Sequence, residues 1–357
     1  MKRITFLLPA AIDCPGGGYK MILEHANNLA ENGHSVVIEC PGTLDWKKQS
    51  LINKLKQIRI YFKRKYIIGY SCNKWFNLHP NVKVRWTPSL NYCHVKKSDL
   101  YIATEARTAP YLNEYPIDAS RKFYFIQDYE NWYLTDKALR DTYHFKMNKM
   151  AITKWLMDII EQEGEECAYT PNGFNTDEYR ITIPIEEKEK YTVSMLNHWQ
   201  DRKDLPTAFA ALDIVKKQIP QLQVLIFGDS EAPDLPQWYH YYRRPSAELH
   251  LLINNRAAVY IGSSKIEGFG LTVGEAMLCG QAVACTDNLG YREMAKHEAT
   301  ALLSPVGNAE ALAANIVRLI NDDELRYRVA KAGNEYILEN FSWKHAHEQF
   351  NNVLKLK

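Results

Sequence analysis

The sequence predicts an α/β protein of two Rossmann-like domains facing a cleft. Three observations carry this reading. The chain has 357 residues, enough for two such domains, each with its own core. Short apolar runs alternate with amphipathic stretches twice, first from Arg3 to Thr153 and again from Val193 onward. Between the two arrays, the stretch from Pro171 to Lys190 ends in the charge run Glu186-Glu187-Lys188-Glu189-Lys190 and reads as a linker. Folds of this kind take their ligands outside the carboxyl ends of the strands.

The first array opens with a strand over 3–9, a loop over 10–18, a helix over 19–32 and a strand over 35–40. That is a βαβ unit whose first turn is Pro15-Gly16-Gly17-Gly18, with Gly33 where a helix C-cap is expected. The turn lacks the full dinucleotide spacing, which disfavours a nicotinamide cofactor. The apolar part of 1–9 is too short for a signal peptide and reads as a buried first strand. Strand-like runs recur at 100–103, 123–126 and 150–153. The second array gives a strand over 193–196, a helix over 205–218, a strand over 222–227, a helix over 246–254 and a strand over 257–261. Toward the end, Trp343, Ala346, Phe350 and Val353 fall at helical spacing.

Composition is that of an ordinary globular protein, 46% apolar and 24% charged, without an apolar run of the roughly 18–20 residues that span a bilayer. Seven scattered cysteines with no C-x-x-C pair argue against a disulfide or metal framework and for a reducing cytoplasm. The net charge of +2 hides an asymmetry: between Asp45 and Asp99 there are 13 Lys or Arg and no acid. Within 47–66, Leu51, Leu55, Ile58 and Phe62 form one apolar stripe among cations. Such a helix lies on an anionic membrane surface, or it packs its stripe on the domain core. Aromatic residues are interleaved there, but no nucleic-acid-binding motif accompanies them, so a nucleic-acid partner is not expected.

The most informative stretch is Glu267-Gly268-Phe269-Gly270-Leu271-Thr272-Val273-Gly274-Glu275. A strand, a glycine-rich turn and a helix N-terminus form a geometry for a diphosphate, because backbone N–H groups and the helix dipole face the anion. The two carboxylates can then accept hydrogen bonds from hydroxyls on either side of it, as a nucleotide-sugar presents them. Two glutamates at this spacing alone are as well explained by a solvated helix face. The Gly-Phe-Gly turn and the small residues Gly274, Ala276 and Gly280 favour a helix packed closely on a sheet with its N-terminus open.

This segment resembles the E-x7-E signature of retaining glycosyltransferases with the two-Rossmann GT-B fold, family 4, the glycosyl transferases group 1. Pro171-Asn172-Gly173-Phe174-Asn175 resembles that family's "PNGvD" turn, and Ile226-Phe227-Gly228 its apolar-apolar-Gly strand end. Ala282 to Asp287, followed by Gly290-Tyr291-Arg292-Glu293, resembles its "PVvatd…Gg.pE" segment. The likeness is good from about residue 168 to 345 and loose before that.

The resemblance implies an acceptor-side domain over 1–170, a nucleotide-sugar domain over 171–341 and a last helix, about 342–357, crossing back to the first. It implies a metal-independent enzyme without a cofactor, its donor a UDP- or dTDP-linked sugar and its acceptor a glycan or lipid-linked glycan. Glu267 would hold the sugar hydroxyls and Glu275 the ribose, with backbone from Gly268, Phe269, Gly270, Leu271 and Thr272 around the phosphate. Relatives clamp the diphosphate with an Arg near a strand end and a Lys. Lys203 matches the Lys, whereas the Arg position falls near Met195, so Arg202 is the candidate substitute. His198 is close enough in sequence to join them. In the first domain, Gly17 and Gly18 would approach the donor, and Gln127, Asp128 or Glu130 would bind or deprotonate the acceptor, since the usual His is missing there. The expected location is cytoplasmic, peripheral at the inner face of the membrane. A nucleotide-sugar 2-epimerase or a catalytically silent partner subunit are the alternatives.

Overall fold

The computed structural model describes every residue except 12–15, 43, 45–48, 64, 65, 68–74, 232, 233 and 357. Among the sequence features above, Pro15, Asp45, Lys47, Lys48, Arg64 and Lys65 lie outside the described residues. The chain divides into two compact units, unit 1 comprising Met1–Pro171 with Ala346–Lys357, and unit 2 comprising Asn172–His345.

Unit 1 runs β1 (Arg3–Leu7), α1 (Gly17–Glu31), β2 (Ser35–Pro41), α2 (Leu51–Lys63), β3 (Val82–Thr87), β4 (Leu100–Ala103), α3 (Ala109–Asn113), β5 (Lys122–Ile126), α4 (Asp136–Tyr143), β6 (Asn148–Ala151), α5 (Lys154–Gln162) and β7 (Cys167–Tyr169). Its seven strands form one parallel sheet in the order β3-β2-β1-β4-β5-β6-β7. The central strands are buried on both faces, which is why they read as near-continuous apolar runs. Edge strand β3, Val-Lys-Val-Arg-Trp-Thr, alternates with polar residues and escapes that signature. Helix α1 starts at Gly17 rather than at residue 19, so Gly17 and Gly18 occupy its first turn and neither has a positive φ.

Unit 2 runs β8 (Glu189–Asn197), α6 (Leu205–Gln218), β9 (Gln223–Gly228), β10 (Tyr239–Arg243), α7 (Ala247–Arg256), β11 (Ala257–Gly262), α8 (Leu271–Leu278), β12 (Ala282–Thr286), β13 (Leu302–Ser304), α9 (Ala309–Asn321) and α10 (Asp323–Asn340). The six strands are parallel in the order β10-β9-β8-β11-β12-β13. Their core joins Val193, Val224 and Val259 from the sheet with Leu212 of α6 and Ile316 and Leu319 of α9. Part of the expected linker is sheet instead. Strand β8 begins at Glu189, inside the charge run, where its first residues are exposed or half-buried and tolerate charge. Edge strand β10, Tyr-His-Tyr-Tyr-Arg, carries no apolar run and leaves no strand signal in the sequence.

The last helix, α11 (Trp343–Val353), contributes its residues from Ala346 onward to unit 1. Ala346 and Phe350 are its buried positions. The Phe350 ring stacks on His25 at 4.0 Å and meets Phe125 edge-on at 5.4 Å. His347 Nδ1 lies 3.2 Å from His25 Nδ1. Burial, and secondarily the facing His347, hold His25 well below the ordinary imidazole range, and burial pushes His347 down to about 4.

Both rings are therefore neutral in the fold at pH values where an unfolded chain, titrating near 6.5, already takes up protons. Their contribution to stability is fully present above about pH 6.5 and is lost as the pH falls toward about 4. Urea midpoints measured across that window should fall with acidification, and less steeply for His347→Gln; equal slopes for the two proteins would reject this account.

Candidate functional site

In unit 2 the loop that follows β8 meets the loop that follows β11. The two strands are hydrogen-bonded neighbours, so their carboxyl ends lie side by side. The backbone stitches them together: Lys265 N–H donates to Arg202 O at 2.7 Å, and Ser263 Oγ–H to Lys203 O at 2.8 Å. Asp204, at φ 49°, makes the left-handed turn that ends the first loop and opens α6.

At this junction Lys203 Nζ donates to Glu267 Oε1 at 2.6 Å, and Ser264 Oγ–H donates to the same oxygen at 2.6 Å. The Tyr291 hydroxyl donates in turn to Ser264 Oγ at 3.1 Å. Glu267 is only 6% exposed. Burial opposes its ionisation, but Lys203, Ser264 and Arg202 outweigh that and hold its carboxyl below the ordinary range. Removing one partner of such a buried pair typically costs about 3–5 kcal/mol, since the other charge is left uncompensated.

Gly270, at φ 93°, caps α8, and a Cβ there would come within 2.5 Å of the Tyr291 ring. The first turn of α8 follows at Leu271 and Thr272, where helix geometry leaves N–H groups without intrahelical acceptors. The Phe269 ring is turned away into the core, buried against Phe174 at 5.9 Å and Phe341 at 5.5 Å. The small residues Gly274 and Gly280 serve other ends than the close helix-on-sheet packing expected of them. A Cβ on Gly274 would lie 2.1 Å from the Phe174 ring, and Gly280 takes a left-handed φ of 74° just past the end of α8.

Glu275 lies further along α8, half-buried and near enough to Tyr179 for its charge to act on that hydroxyl. That hydroxyl also lies 3.2 Å from His250 Nδ1, and burial followed by Glu275 raises its pKa. Sequence reasoning misses Tyr179 and His250, since no motif links positions 71 residues apart. His198 stacks on Trp199 with ring centroids 5.8 Å apart, and burial, then Lys203 and Arg202, lower its pKa. Arg202 Nε donates to Gln200 Oε1 at 3.1 Å.

The structure thus brings Glu267, Lys203, Arg202 and His198 into one electrostatic group, with Gly268 to Thr272 continuing from Glu267 into α8. Among the described residues, no group of three or more His, Cys, Asp or Glu could hold a metal ion.

Unit 1 holds the remaining candidates. A Cβ on Gly18 would lie 3.4 Å from Gln127 Oε1, so the start of α1 and the end of β5 are adjacent. Asp128 Oδ1 accepts from the Tyr129 N–H at 2.9 Å, and it caps no helix, since α4 begins only at Asp136 behind its own N-cap Thr135. Glu130 is buried, accepts from the Ala106 N–H at 2.5 Å, and is raised well above the carboxylate range by burial and then by Glu105.

Comparison with known proteins matches part of the chain to a family. Residues 176–336 fit the model of the glycosyl transferases group 1. A phosphatidyl-myo-inositol mannosyltransferase of Mycolicibacterium smegmatis is 22% identical over 96% of this chain and 90% of its own length. The putative glycosyltransferase EpsD of Bacillus subtilis is 29% identical over 46% of this chain and 48% of its own. Among solved structures, sucrose-phosphate synthase from Thermosynechococcus elongatus superposes with a TM-score of 0.77 at 15% identity, covering 99% of this chain and 98% of that one. Anabaena HepE in complex with UDP-glucose gives 0.73 at 16%, covering 99% and 100%. These likenesses show the fold, which is GT-B: two α/β units, each with a parallel sheet.

Gly290 enters the sequence reading only as part of a motif, yet it is what allows Glu267 its place. A Cβ there would come within 2.2 Å of the Glu267 carbonyl oxygen. Gly290→Ala is expected to cost about 1–3 kcal/mol by overpacking and to displace the Glu267 loop. A denaturation midpoint equal to that of the wild type would refute the close approach.

Proposed function

We propose that the protein is a retaining glycosyltransferase. It moves a sugar from a UDP- or dTDP-linked donor to a hydroxyl of a glycan or lipid-linked glycan in cell-surface polysaccharide synthesis. The observation that carries this reading is the buried Glu267, held ionised by Lys203 and Ser264 beside the N-terminus of α8. The group 1 match over 176–336 supports the reaction class.

In this reading Glu267 accepts hydrogen bonds from the sugar hydroxyls and Glu275 from the ribose. Lys203 and Arg202, with backbone N–H groups from Phe269 to Thr272, neutralise the diphosphate as it departs. The bond from the anomeric carbon to the diphosphate breaks, and the acceptor oxygen attacks from the same face. The acceptor's proton passes to the departing diphosphate, so no enzyme nucleophile is needed. His198, kept neutral by its surroundings, can donate a hydrogen bond without adding charge.

The acceptor side belongs in unit 1, where Gly17, Gly18 and Asp128 are its candidates. Helix α2 supports a membrane location at the cytoplasmic face. It buries no residue, and Leu51, Leu55 and Phe62 are 79%, 64% and 51% exposed beside Lys54, Arg59 and Lys63. A stripe packed on the core would be covered. The lipid in the name of the Mycolicibacterium relative supports the same direction.

Glu275→Ala should raise the donor dissociation constant at least about tenfold, and Lys203→Ala should cut turnover at least about a hundredfold. Calorimetry with UDP and dTDP, and initial rates, check the two; wild-type values in either case would remove that residue's role. A thermal-shift series with UDP- and dTDP-sugars separates the alternatives. A true donor at about 100 times its dissociation constant stabilises the fold by about 2.7 kcal/mol, whereas a silent partner subunit would show no shift. An epimerase would convert its donor with no acceptor present.

A further inference from the structure

The protein holds the buried carboxylate of Glu267 by one oxygen. Oε1 accepts from Lys203 Nζ and from Ser264 Oγ, each at 2.6 Å, which occupies both of its lone pairs. Among the described residues Oε2 accepts no hydrogen bond, although the side chain still reaches the surface, 8% exposed. Ion pairs that only staple this unit together are built differently. Arg292 meets both oxygens of Asp287, at 2.7 and 2.9 Å, and Arg256 both oxygens of Glu189, at 2.8 and 3.2 Å. Lys203 also keeps capacity in hand, since an ammonium has three N–H donors and Glu267 uses one.

Behind Ser264 stands Tyr291. The Ser264 hydroxyl spends its proton on Glu267, so it can only accept from the Tyr291 hydroxyl, 3.1 Å away, and the chain runs one way. The Tyr291 ring is 2% exposed and fills a slot between two glycines: a Cβ on Gly262 would come within 3.0 Å of it and one on Gly270 within 2.5 Å. Burial, and then the charge of Glu267, hold its ionisation well above the ordinary phenol range, so it remains a donor. Asn288 keeps the two hydroxyls in register. Its Oδ1 accepts from the Tyr291 N–H at 3.0 Å and its Nδ2 donates to Ser264 O at 3.0 Å, where Thr286 Oγ1–H also donates at 2.6 Å. The loop after β12 thereby fixes the direction in which the loop after β11 aims its carboxylate.

We propose that Ser264 and Tyr291 are positioning residues: with Lys203 they fix Glu267 through Oε1, so that Oε2 faces the hydroxyls of the donor sugar, and Tyr291 acts only through Ser264. That the ligand is a donor sugar rests on the transferase reading; the chain itself is tested without it.

The test uses the full chain and three variants, Ser264→Ala, Tyr291→Phe and the two together. Carbon-13 labelling of the glutamate carboxyls reads the Glu267 signal by direct-detection NMR near neutral pH, identified by its loss in Glu267→Gln. Ser264→Ala should move that signal, and Tyr291→Phe should move it the same way by less. In the Ser264→Ala background Tyr291→Phe should move it no further. A Tyr291 that only fills space would leave the signal in place, and one that acts by another route would move it equally in both backgrounds; either result overturns the proposal. Tyr291→Phe keeps the ring in its slot, so it decides the matter even where Ser264→Ala does not fold.

Calorimetry reads the sugar as the ratio of the Kd of UDP-glucose to that of UDP, with dTDP-glucose and dTDP as a second pair. Ser264→Ala should raise the ratio at least about tenfold and Tyr291→Phe about threefold, with the double variant no worse than Ser264→Ala. Ratios unchanged in both single variants would show that Oε2 does not face the sugar. Failure of the wild type to bind any of the four nucleotides would count against the transferase reading alone, while the carboxyl signal still decides on the chain.

Discussion

The geometry of unit 2's site depends on one ion pair, Lys203 with Glu267. A carboxylate this buried stays ionised only while a cation and a hydroxyl donor face it, and Lys203 and Ser264 supply both. The pair fixes the loop after β8 against the loop after β11, and other features near it keep that contact possible. The left-handed Asp204 ends one loop, the Ser263 bond to Lys203 O closes it on the other, and the bare Gly290 leaves room for the Glu267 backbone.

The sheet explains why two residues 64 positions apart meet at all. In the order β10-β9-β8-β11-β12-β13 the direction of winding reverses between β8 and β11. At such a switch point the connections leave toward opposite faces, and a crevice opens at the carboxyl ends. Unit 1 has the same reversal between β1 and β4, with the candidate loops and a cavity beside α2 at that end of the sheet. Each unit thus places its polar loops where the parallel sheet leaves space, and the core beneath is free to stay apolar.

Much of this is legible in the chain. The buried strands β1, β4 and β9 announce themselves because both faces are covered and apolar side chains run without interruption. Helix α6 follows to the residue from its periodic pattern behind Asp204, and Gly33 takes the left-handed φ of 79° expected past the end of α1. Edge strands β3 and β10 are not legible, because one side of an edge strand meets solvent and keeps Lys, His and Arg. Tyr179 and His250 are hidden for another reason: their nearness to each other and to Glu275 comes from tertiary packing and leaves no local pattern.

By itself the sequence determined the two α/β arrays, the Glu267-to-Glu275 turn and the cationic, striped character of α2, since all three are written in local spacing and composition. The tertiary structure decided what local spacing cannot. It set which way the α2 stripe faces, since an amphipathic helix has the same period whether its stripe meets a core or solvent. It also set which charges meet, because the Lys203–Glu267 contact exists only once the sheet has brought two distant loops to one edge.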